Sequence, residues 1–129
     1  MAKRRISIDD GRAALAAVRA GSTARNEVAT AVRYLLEELA ERAPGNTVEV
    51  RVPPYGATQC VSGPRHTRGT PPNVIETDAQ TWIALACGEL DWSTAVGDAR
   101  VVASGSRAAL VGLLPLVREH PVEAATLEV

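Results

Sequence analysis

Arg65, His66 and Arg68 fall within four residues of one another in the stretch PRHTRGTPP. Two guanidiniums and an imidazole so close could clamp a carboxylate or a phosphate through charge-assisted hydrogen bonds. Pro64, Pro71 and Pro72 restrict the backbone on either side. Gly69 and Thr70 would let main-chain N–H groups join the anion site. The alternative is a solvated loop whose arginines pair with neighbouring acids such as Glu76 or Asp78. His66 as a general base would need both a partner and a substrate within reach. No Ser-His-Asp ordering accompanies it, and SGSR at 104–107 lacks the context of a nucleophile elbow. GSRAAL at 105–110 lacks the second glycine and the lysine of a phosphate loop, so it reads as a helix start.

Trp82 and Trp92 are the only tryptophans, and Trp82, Leu85 and Ala86 share one face at helical spacing. Together they could wall an apolar pocket, since aromatic rings give large contact area at small entropic cost. The competing reading is that the indoles plug a core which, with no Phe in the chain, is otherwise built from Ala, Val and Leu. Cys60 and Cys87 are too few for a disulfide framework, and no disulfide between them is expected. With only His66 and His120 beside them, a zinc or iron site is not expected. Cys60 reads as a small core residue within a strand. Cys87 falls at a helix C-terminus, where the helix dipole works against a reactive thiolate. No catalytic residue, metal or cofactor is assigned.

At 129 residues the chain fits one domain, and its 46% hydrophobic content excludes disorder throughout. A net charge of −1 supplies no basic field for general nucleic-acid binding. Residues 1–5 are basic, but ISIDDGRAA follows where a secretory signal would need an apolar core. No segment reaches the ~20 apolar residues that span a bilayer. These features predict a soluble, cytoplasmic protein without membrane insertion.

The elements that must position these residues follow from periodicity. Residues 7–20 predict a short helix that ends at Gly21. TARNEVATAVRYLLEELAER predicts a long amphipathic one, with Val28, Ala31, Val32, Leu35 and Leu39 on one stripe. Glu27, Thr30, Glu38 and Glu41 lie opposite, and Glu38 with Arg42 forms an i,i+4 pair. Glu37, Glu38 and Glu41 read as a solvated face. TVEVRVP alternates strictly and predicts a half-buried strand, PPYG a turn, and ATQCV the return of a hairpin. NVIET is a third strand. Thr77 and Gln80 form a capping-box pattern at the start of a helix that Gly88 stops. Asp91 caps a short turn over 92–96, RVVAS is a fourth strand, and RAALVGLL a last helix broken by Pro115. Strands followed by helices on one sheet face make an α+β layer.

Asp78, Trp82, Leu85, Gly88, Leu90, Ala95, Val102, Gly105 and Leu110 stand in an order that resembles the second half of sterol-carrier-protein-like domains. The span from about Thr47 to Leu116, with its RHTRGTPPN loop, looks most like the bacterial sterol carrier orthologues. It also resembles the C-terminal domain of mycothiol-dependent maleylpyruvate isomerases. The resemblance implies a five-stranded antiparallel sheet covered by helices, with an apolar cavity between the layers. Four strands are placed by pattern; a fifth would be short or hidden within residues 55–76.

The chain then divides into N-terminal helices over 1–45, a sterol-carrier-like α+β core over 46–118 and a tail over 119–129, one compact domain in all. The implied function is non-catalytic carriage of a lipid or another hydrophobic or amphipathic small molecule. Trp82, Leu85 and Trp92 would line the cavity, with Arg65, His66 and Arg68 at its rim. One alternative is an enzyme or accessory domain related to the isomerases, binding an anionic substrate. Residues 1–45 contain no His and no Cys, so the isomerases' metal site does not carry over. The other alternative is an interaction module that forms a homodimer.

Overall fold

The structure is a computed structural model that describes residues 4–63 and 73–117. Arg65, His66, Arg68 and the tail over 119–129 lie outside the described residues.

Helix α1 spans Ile8–Arg19, and the Ser7 hydroxyl accepts from the Asp10 N–H at 3.0 Å. Asp9 and Asp10 in the first turn and Arg19 in the last complement the helix dipole. Helix α2, Arg25–Arg42, buries Ala31, Val32, Leu35 and Leu39 of the expected stripe, leaves Val28 partly buried, and adds Tyr34, Leu36 and Ala40. Its apolar arc is wide because it packs both on α1 and on the sheet. The close approach of the two helices depends on Gly11, where a Cβ would stand 2.2 Å from Cδ1 of Tyr34. Gly11→Ala gains about 1 kcal/mol of helix propensity but overpacks the contact at a cost of about 1–3 kcal/mol. We expect a net loss of up to about 2 kcal/mol in urea unfolding. At Gly97 an added Cβ meets nothing within 4 Å, so Gly97→Ala serves as the control.

Strands β1 (Val48–Val52) and β2 (Gly56–Cys60) form the expected antiparallel hairpin, with Val48 opposite Cys60 and Val52 opposite Gly56. β3 (Asn73–Thr77) pairs with β4 (Val101–Ser104) antiparallel, but it runs parallel to β1. Among the described residues the sheet is thus mixed, with four strands in the order β2-β1-β3-β4, which corrects the expectation that all strands run antiparallel. The reason lies in where the chain returns. β2 ends beside Val48, and β3 begins on the other side of Val48, at Asn73. A strand that starts at the same end as β1 must run the same way. Asn73, 3% exposed, fixes this return: its amide donates to Thr47 O at 2.9 Å and accepts from Arg107 N at 2.9 Å.

Val48, Val50, Val52, Cys60, Ile75 and Val101 form the buried face of the sheet against the helices. Helix α3 spans Ala79–Ala86 and α4 spans Trp92–Gly97. The cap of α3 is Asp78, one residue beyond the Thr77 of the capping-box reading. Its carboxylate accepts from Thr81 N at 2.8 Å and from Thr81 Oγ1 at 3.0 Å. Thr77 instead donates its hydroxyl to Arg100 O at 2.7 Å, tying β3 to the residue that leads into β4.

The expected last helix over 107–114 does not form. Gly105 and Gly112 take positive φ values of 105° and 87°, and Pro115 disfavours helical backbone at Leu114. Too few residues are left between these breaks to repay helix nucleation. The segment turns instead and is fastened by Leu116 N and Val117 N, which both donate to Ala86 O, at 2.8 and 3.0 Å. Leu110 and Leu116 are each 1% exposed, so the segment still fills the core.

Candidate functional site

The structure separates the three apolar residues expected to share a pocket. Trp82 is 1% exposed, and its indole N–H donates to Val32 O at 3.3 Å, across to α2. Its ring is part of the buried core, at the contact between α3 and α2. Leu85 and Trp92 do come together, in an open cleft of about 580 Å³ between the α3–α4 corner and residues 110–115. Leu85 is the buried floor of that cleft and Trp92 its half-buried wall. Glu89 and Asp91 give it an acidic lip. Glu89 is paired with Arg19 at 2.9 Å. The Ser93 hydroxyl, with further help from the Thr94 and Ser93 N–H groups, holds the Asp91 carboxyl below its ordinary range.

A larger cleft of about 740 Å³ lies elsewhere, along the side of α2 that faces β2. Leu36, Ala40, Pro44, Tyr55 and Ala57 supply its apolar surface. Arg33 braces one side, its Nε donating to Tyr55 O at 2.7 Å. The N-terminal segment over residues 4–6 forms another wall. Here the acidic face of α2 is not simply solvated. Glu37 accepts from the Arg5 and Ile6 N–H groups at 3.1 and 3.2 Å. Arg4 Nη1 reaches Glu38 at 2.9 Å and Glu41 at 3.1 Å, with its guanidinium 5.3 Å from the centre of the Tyr34 ring. The Glu38–Arg42 contact is also present, but longer at 3.8 Å. Sequence reasoning missed this cleft. Its one legible signal was that Leu36 and Ala40 widen the α2 stripe toward the side where Tyr55 turns the hairpin.

Both cysteines are buried. Burial pushes the Cys60 thiol from 9.0 up to about 11. Because the folded state holds that proton more tightly, the associated stability is full below about pH 9 and is lost as the pH rises toward about 11. Iodoacetamide at pH 8 should leave Cys60 intact in the native protein and alkylate it in urea, as peptide mass spectrometry would show. Native labelling at the unfolded rate would contradict the burial.

Among the described residues no group of three or more His, Cys, Asp and Glu side chains is placed to hold a metal ion. No helix among them is long and apolar enough to cross a membrane.

No curated protein matches the chain. The family described as bacterial SCP ortholog matches residues 24–116, from the start of α2 through all four strands to the buried Leu116. The chain belongs to this bacterial sterol-carrier-protein-like family.

Proposed function

We propose that this protein binds an apolar or amphipathic small molecule in the larger cleft and carries it without transforming it. The supporting observation is the cleft itself, whose floor of Leu36, Ala40 and Tyr55 is apolar while its edges carry arginines and glutamates. A ligand gains roughly 25 cal/mol for each Å² of apolar surface withdrawn from water, and the polar edges fix its orientation. Family membership supports the same reading, because the family takes its name from lipid carriage. The cleft lies outside the Trp82 core, so binding does not require the core to open.

Calorimetric titration with a long-chain carboxylate tests the reading. Thr58 lies on β2 on the same face as Cys60, toward the helices, and lines the cleft. Thr58→Trp should fill the cleft and weaken binding by about tenfold or more, a loss of roughly 1.4 kcal/mol. Trp92→Ala should leave the affinity unchanged. The reverse pattern would move the site to the cleft of Leu85 and Trp92, and no heat with any ligand would end the carrier reading.

A further inference from the structure

The segment over residues 4–7 divides two hollows. Arg5, Ile6 and Thr30 border the 740 Å³ cleft, and the same three residues border a second hollow of about 390 Å³ that runs toward α1. Thr30 lies on α2, so the surface of that helix continues beneath the segment from one hollow into the other. Ile6 is the one large apolar side chain in Arg4–Ser7. It is partly buried against the core, and its N–H is held by Glu37 at 3.2 Å. On the far side the second hollow meets Ala13 and Ala14 of α1, which offer small apolar surface, with Asp10, Asn26 and Glu27 also on its walls.

We propose that Ile6 is a specificity-determining residue that limits how long an apolar chain the larger cleft accepts. This rests on the carrier reading above. A straight chain lying along α2 from the Tyr55 end meets the Ile6 side chain before it reaches the second hollow. Removing that side chain joins the two hollows over the continuous floor at Thr30. The partition is held by hydrogen bonds to one carboxylate and by the Arg4 contacts to Glu38 and Glu41, with no helix or strand enclosing it. It can therefore be altered without unfolding the sheet.

The experiment is a calorimetric series of straight-chain carboxylates of increasing length. With the wild-type protein each added methylene should tighten binding by about fourfold, ~0.8 kcal/mol, until the chain meets Ile6. Beyond that length the affinity should level off. In Ile6→Ala the fourfold gain should continue into chains that no longer help the wild type, while Ile6→Leu keeps the wild-type limit. Glu37→Ala, which retains the Ile6 side chain but frees its backbone, should also extend the series, and it serves if Ile6→Ala fails to fold by circular dichroism. An identical plateau in all folded variants, or no plateau in the wild type, overturns the partition and leaves the carrier reading standing. No binding by the wild type at any length overturns the carrier reading, and the role of Ile6 with it.

Discussion

Trp82→Ala should lower the unfolding free energy by about 3–5 kcal/mol, among the largest effects of any single substitution in this chain. The indole is 1% exposed and is the largest fully buried side chain. Val32, whose carbonyl the indole meets on α2, and Ala86, one turn along α3, carry short side chains. Neither can swing into the space an indole leaves, so much of the cavity penalty should persist. The substitution also leaves Val32 O without the N–H that it accepts at 3.3 Å. Trp92→Ala, at the half-buried wall of the smaller cleft, should cost far less. Urea midpoints for the two variants check this, and equal midpoints would mean that the two tryptophans had been assigned the wrong roles.

Leu35→Ala should cost about 2–5 kcal/mol. Leu35 has no exposed surface and sits where α2 meets the rest of the core. Glu38→Ala provides the contrast. As an exposed helical pair with Arg42 it would be worth only a few tenths of a kcal/mol. The structure raises that figure, because Glu38 and Arg4 have side chains only 18% and 19% exposed and lie 2.9 Å apart. Partial screening by solvent and the remaining Glu41 contact hold the expected loss to roughly 1 kcal/mol. The same unfolding series therefore orders Leu35→Ala well below Glu38→Ala, and Glu38→Ala below wild type.

These two residues show what could be read from the sequence. Leu35 belongs to a stripe at helical period, and such a stripe reports burial directly. The partner of Glu38 stands 34 positions away, and nothing local to either residue announces it. The strands divide in the same way. The alternation of Val48, Val50 and Val52 identified β1 and its buried face, yet alternation is the same for parallel and antiparallel neighbours. Direction was set by the return to Asn73, a long-range event. Trp82 was assigned to a helix face correctly, but a helix face can line a cavity or fill one. The outcome depended on Val32, fifty positions earlier in the chain. The helix expected over 107–114 failed for a reason visible in the residues: Gly112 and Pro115 together outweigh the apolar run between them. Leu85 and Trp92 line one open cleft, and Trp82 is not among its walls.

The parallel pairing of β1 with β3 also bears on how fast the native state is reached. The β1–β2 hairpin closes over the short turn at 53–55 and can form early. β3 can dock only once the chain has returned from the end of β2 to Val48, and among the described residues the strand neighbour of β4 is β3. Half of the sheet therefore waits on one loop closure, whose entropy must be spent before any ladder bond repays it. In pulse-labelling during refolding, amides of β1 and β2 should become protected before those of β3 and β4. β4 should gain protection no earlier than β3, because β3 docks on β1 while β4 reaches the sheet through β3.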